Sequence, residues 1–195
     1  ATGGSNALSH NNLKCIWYNP ENHSLYIGTH MGGLNILDIR TRKFRHITTQ
    51  THPLMPNNVI EAIHPHNDKL IILTQRGLVW LDLATDAVTP FFDNQKLKSA
   101  VGNMIITLTV DSKDNVWLAE TDGGVKRYNL RTKELKSYAH NFQKPGSIGR
   151  HNITRIYEDR KGRLIFASLG SGLFQYLPDK RSEERRVGKE CRSRW

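Results

Sequence analysis

Four segments of the sequence align with one another at a period of 44 to 49 residues. An Asn-apolar pair opens each one: Asn12-Leu13, Asn58-Val59, Asn103-Met104 and Asn152-Ile153, at steps of 46, 45 and 49 residues. A second apolar run follows in every copy, at Leu25–Thr29, Leu70–Thr74, Val116–Glu120 and Leu164–Ser168. A Gly-apolar pair then opens a third run: Gly33-Leu34, Gly77-Leu78, Gly124-Val125 and Gly172-Leu173. Three copies close on a fourth short run, at Lys43–Ile47, Ala87–Phe92 and Glu134–Tyr138. Self-similarity at a fixed period of this length is the signature of a repeat architecture, so it outranks any local reading.

Each run is short, rich in Val, Ile, Leu and aromatic residues, and bounded by Gly, Asn, Asp or Pro, which is how strands read. No window carries a sustained apolar stripe of helical period. The connections Pro20–His23, Pro65–Asp68, Asp111–Asn115 and Glu158–Gly162 hold residues that tolerate positive φ or bond their own backbone, as tight turns require. Four short antiparallel strands per unit of this length make one blade of a β-propeller. A lone four-stranded sheet leaves two apolar faces bare, and stacking blades about an axis buries them. The expected fold is therefore all-β: four four-stranded antiparallel blades at about 9–47, 54–92, 100–140 and 147–178. No helix longer than a turn or two is expected.

The 195 residues carry a formal net charge of +10. Residues 181–195 hold six basic and three acidic side chains, a net of +3, which leaves +7 spread over the other 180 residues. A nucleic-acid surface gathers its Lys and Arg on a recognisable module, so this pattern reads as a solvated basic surface and no nucleic-acid contact is expected. Nothing approaches the ~20 apolar residues of a membrane span. The two cysteines, Cys15 and Cys191, form neither a disulfide framework nor a metal-ligand spacing. Residues 1–8 read as a truncation edge. Residues 179–195 lack the repeat pattern and look non-native, resembling translated vector or adapter DNA. On that reading the fourth blade lacks its last strand.

The pattern Leu25-Tyr26-Ile27-Gly28-Thr29 followed by Gly32-Gly33-Leu34-Asn35-Ile36-Leu37-Asp38 resembles the two-component regulator propeller repeat. The third copy keeps Val116-Trp117-Leu118 and Gly123-Gly124-Val125, and the fourth keeps Ile156-Tyr157-Glu158-Asp159. The second departs most, because Thr74-Gln75-Arg76-Gly77 lacks the double glycine. The resemblance implies the periplasmic sensor part of an inner-membrane hybrid two-component histidine kinase of the Bacteroidetes type. Such sensors close into seven-bladed rings and are often tuned to glycan breakdown products. Four blades are then a fragment, with neighbouring blades or a second sensor protomer as protein partners and an oligosaccharide as ligand.

In a propeller, the turns between second and third strands share a face with the connections between blades. Here the turns supply His30, Met31, Gln75, Arg76, Asp122, Leu169 and Ser171, and the connections supply Gln50, His52, Asn57, Arg150 and His151. Of these, His30, Arg76, Asp122, Ser171, Arg150 and His151 are the candidate ligand contacts; the bland alternative is that they are solvated turn residues. The recurrent asparagines read as structural, each satisfying a backbone group where the chain enters its strand. Trp17, Trp80 and Trp117 read as packing between blades. His64-Pro65-His66 lacks the third and fourth ligands a metal needs, and no cofactor motif is present. There is no Gly-x-Ser-x-Gly elbow, phosphate-cradling loop or His-Glu-x-x-His, so this segment is not expected to be an enzyme. The alternatives are a protein-interaction propeller or a fragment of a propeller polysaccharide lyase or glycosidase, the latter using loop carboxylates such as Asp122.

Overall fold

The computed structural model describes residues 6–101, 105–121, 124–139, 152–170, 172–176 and 185–187. It divides into two compact units, Ala1–Asn103 and Met104–Trp195. The first unit holds two sheets: β1 (Leu13–Asn19), β2 (Ser24–Thr29), β3 (Leu34–Asp38) and β4 (Lys43–Ile47), then β5 (Ile60–His66), β6 (Lys69–Thr74), β7 (Gly77–Asp82) and β8 (Val88–Pro90). A helix, α1 (Gln95–Val101), ends it. The second unit holds β9 (Ile105–Val110), β10 (Asn115–Glu120), β11 (Val125–Asn129) and β12 (Leu135–Tyr138), then β13 (Ile153–Glu158), β14 (Leu164–Ser168), β15 (Gly172–Gln175) and β16 (Arg185–Val187). All four sheets are antiparallel meanders in chain order. The all-β expectation of four four-stranded sheets holds.

The expectation that the fourth sheet lacks an outer strand is corrected. Residues 185–187 pair antiparallel with β15, with Leu173 opposite Val187 and Gln175 opposite Arg185. An unpaired strand edge offers a row of N–H and C=O groups that any extended segment can satisfy. Backbone pairing does not need the repeat pattern that residues 179–195 lack.

Each first strand bulges at one place. The register slips between Leu13 and Cys15, Ile60 and Ala62, and Ile153 and Arg155, and the same slip leaves Ile106 unpaired in β9. Bulged Lys14 and Glu61 meet across adjoining first strands as an ion pair of 3.1 Å. The structural register also revises the asparagine alignment. Asn12 and Asn152 immediately precede the paired residues Leu13 and Ile153, whereas Asn58 stands two before Ile60. The carbonyl of Asn58 accepts from the Gly33 amide at 2.9 Å, and its Oδ1 accepts from the Thr49 amide at 2.8 Å. Asn58 is thus structural, as expected, while Asn12 is not its counterpart.

Turn chemistry recurs as side-chain-to-backbone bonding. The Oδ1 atoms of Asp38, Asp82 and Asn129 each accept the amides two and three residues on, the latter from Thr41, Thr85 and Thr132. The following residue then turns left-handed at Arg42, Asp86 and Lys133. Hydrogen bonds from Thr41 and Thr85 hold the Asp38 and Asp82 carboxyls below their usual range. Asn19, Asp111 and Asp159 do the same in the first hairpins, each accepting an amide two residues on.

Burial follows the pleat. In the first unit Tyr26, Leu34, Ile36, Ile47, Leu70 and Ile72 form one core between the two sheets, flanked by Cys15 and Trp17. In the second, Trp117, Val125, Ile153, Phe166 and Phe174 do so, with Tyr138 and Tyr176 packed against them. Two tryptophans expected between blades, Trp17 and Trp117, therefore pack there. Trp80 lies on the other face of its sheet, stacked on Phe91 at 5.1 Å between ring centroids. At about 25 cal/mol per Å² of apolar surface, burying each large aliphatic or aromatic side chain contributes about 1.5–3 kcal/mol.

Candidate ligand-binding cleft

The first unit shows how turns and connections come to share an edge. Where β2 ends, the His30 amide donates to the Asn12 carbonyl at 2.9 Å, and where β6 ends the Gln75 amide donates to the Val59 carbonyl at 3.0 Å. The Gly33–Asn58 bond ties the β2–β3 turn to the β4–β5 connection. That connection is itself ordered: the Met55 amide bonds the His52 carbonyl at 2.9 Å, and Asn57 Oδ1 accepts from the Val59 amide at 2.6 Å.

A cleft of about 250 Å³ opens at this edge. Its floor is Leu78 and Val79 of β7 with Phe91 and Phe92 beyond β8, all buried. Pro53, Leu54 and Pro56 of the β4–β5 connection form one wall. Arg76, from the β6–β7 turn, and Lys98, from α1, bring two exposed cations to it. Among the described residues eleven line the cleft, and none of them is acidic. The Phe91 amide bonds the Leu78 carbonyl at 3.3 Å, and the Phe91 and Phe92 rings meet edge-to-face at 4.8 Å, which holds the floor in shape. Asn94 caps α1 by accepting the Leu97 amide at 2.8 Å. The helix therefore presents Lys98 from a defined turn.

Of the candidate contacts, Arg76 lies in this cleft and His30 does not. The His30 ring sits 6.4 Å from that of His10, and its Nδ1 is buried without a hydrogen-bond partner. Asp122, Ser171, Arg150 and His151 lie outside the described residues. Met31, Gln75 and Leu169 are exposed. Sequence reasoning missed Phe91, Phe92 and Lys98. The run Ala87–Phe92 reads as a strand, which hides the two phenylalanines, and α1 has no amphipathic stripe to announce it.

Other chemistry-bearing groups are occupied structurally. Asp111 is buried and accepts from the Asn115 amide and Nδ2 and from Trp117 Nε1 at 2.8 Å. Arg127 stands 5.9 Å over the Trp117 ring, at the edge of a cavity of only about 70 Å³. Tyr138 Oη meets Tyr176 Oη at 3.1 Å, and burial pushes the Tyr138 phenol well above its ordinary value. Burial likewise pushes the Cys15 thiol up to about 11, which leaves little nucleophilic thiolate at neutral pH. Burial lowers His64. Among the described residues no three His, Cys, Asp or Glu side chains converge as a metal site, and no helix is long and apolar enough to cross a membrane.

No protein-family model matches the sequence, and no curated protein does. Solved structures do resemble it. The extracellular domain of the hybrid two-component system BT3049 from B. thetaiotaomicron is 23% identical with a TM-score of 0.68, over 93% of this chain and 22% of that one. The extracellular domain of the hybrid two-component system BT4673 from the same organism is 18% identical with a TM-score of 0.70, over 94% of this chain and 23% of that one. The computationally designed Ika4 protein is 13% identical with a TM-score of 0.60, over 86% of this chain and 92% of that one. The chain thus has an all-β propeller fold like that of these extracellular domains, and it spans less than a quarter of the two B. thetaiotaomicron chains.

Proposed function

We propose that this chain is part of the periplasmic, ligand-sensing propeller of a hybrid two-component regulator that responds to glycan breakdown products. The observation that carries the reading is the match to two extracellular domains of such systems over 93% and 94% of the chain. The four-fold repeat with its resemblance to the two-component regulator propeller pattern supports it independently. So does a cleft at the edge where turns and connections meet, lined by an apolar floor and few polar groups, as small-ligand sites are. Sensing needs no catalytic residue. It needs a ligand with different affinity for two states of the assembly, and the further blades, the membrane anchor and the kinase belong to the parent chain.

The test is calorimetry on the intact chain with a panel of glycan-derived oligosaccharides, followed by chromatography of the mixtures. Binding of at least one fragment with no product formed is the expected result. Release of a shorter or unsaturated product would make the chain an enzyme instead, and a panel in which nothing binds would also overturn the reading.

A further inference from the structure

We infer that the cleft selects acidic saccharides, with Arg76 and Lys98 holding a carboxylate or sulfate while the sugar ring lies against Phe91 and Phe92. The inference rests on the sensing reading and adds the chemical class of the ligand.

The cleft combines two features that an ordinary surface dent does not. Its interior is apolar and buried, with Phe91 6% and Phe92 8% exposed. Among the described residues its two charged lining residues carry one sign, and they come from different elements, a turn and a helix. Some arginines elsewhere in the fold are matched to carboxylates, as Arg45 is to Asp86 at 2.8 Å and Arg131 is to Asp114 at 2.6 Å, while others, such as Arg40 and Arg155, form no ion pair with a described residue. Neither Arg76 nor Lys98 forms an ion pair with a described residue, and no acidic side chain among the described residues lines the cleft. The nearest carboxylate along the chain, Asp93, accepts from Asn94 Nδ2 at 3.2 Å.

Two cations with no ion partner among the described residues, beside an apolar floor, are complementary to an oxyanion carried on a ring. A guanidinium binds carboxylate or sulfate through two parallel N–H···O bonds, and an ammonium adds a second charge-assisted contact. The C–H face of a pyranose suits an aromatic and aliphatic floor, because those C–H groups are its least polar surface. A volume of about 250 Å³ lies below the roughly 300–1,000 Å³ of drug-sized pockets. It suits the terminal acidic unit of a fragment better than an internal stretch of polymer.

The experiment compares three disaccharides of one scaffold by calorimetry: one ending in a uronate, one carrying a sulfate, and the neutral parent. At low salt an acidic form should bind at least ~10-fold more tightly than the neutral form, and added salt should narrow the gap. Arg76→Ala and Lys98→Ala should each weaken acidic binding by about 10-fold while leaving melting unchanged, since both side chains are exposed. Lys96→Ala, on the same helix but outside the cleft, should leave binding intact. The uronate and sulfate arms tell which oxyanion is preferred. Equal binding of neutral and acidic forms overturns the inference and leaves the sensing reading in place. So does acidic binding that survives Arg76→Ala and Lys98→Ala. If no saccharide of any kind binds, the sensing reading fails with it.

Discussion

Asp111 shows how much one polar side chain can organise when it is buried. Its carboxylate takes the Asn115 amide, the Asn115 side chain and the Trp117 indole N–H, and so fixes a hairpin and anchors the largest ring of the second core. Replacing it with Ala leaves those donors facing an apolar interior, and each unsatisfied buried group costs about 1–3 kcal/mol. Asp111→Ala should therefore destabilise the second unit by about 3 kcal/mol, read as a shift of the urea midpoint. Asp38→Ala removes an equivalent turn bond in solvent and should cost less than half as much; equal losses would contradict the assignment. The turn role of Asp and Asn was legible in the sequence, because these side chains bond the backbone locally. That Asp111 also reaches a tryptophan six residues on was not, since that contact depends on the hairpin pairing.

At the level of elements, the repeat specified strands well and their joints less well. Alternating apolar runs placed all the inner strands, because one face of each must meet a neighbouring sheet. The bulge in every first strand escaped notice, since an unpaired residue such as Glu61 or Thr154 leaves no mark in composition. The β2–β3 turn is a stricter case. Gly33 has φ of +74°, and a Cβ there would run into the Ile47 carbonyl oxygen. Gly162 has a similar φ of +72°, but its Cβ would meet nothing closer than Glu158 Oε1 at 3.7 Å. Gly33→Ala should cost about 2–4 kcal/mol, combining left-handed strain with backbone displacement, and Gly162→Ala about 1 kcal/mol. Chemical denaturation of the two variants checks the order, and Gly162→Ala proving the costlier would refute it. Helix α1 had no such signature; its seven residues form where the chain leaves the second sheet.

At the scale of the whole molecule, the fourth sheet carries core-type residues that stand exposed. The register places Tyr157 where the first sheet has Trp17, and Leu173 where it has the fully buried Leu34. Yet Tyr157 is 60% exposed and Leu173 45% exposed. Apolar surface of this kind favours association, so the chain should self-associate with rising concentration, and Tyr157→Lys should reduce that association in light scattering. A monodisperse monomer with unchanged behaviour in the variant would show that this face needs no cover. The sequence by itself determined the repeat, the strand order and the inward faces, because hydrophobic periodicity and turn chemistry act over a few residues and recur in each copy. Only the tertiary structure decided the cleft. Arg76, Phe91 and Lys98 are separated along the chain and share no pattern, and they meet because β7, the β4–β5 connection and α1 fold onto one edge. It also decided that Arg185–Val187 completes the fourth sheet, since an open strand edge accepts backbone partners whatever their side chains.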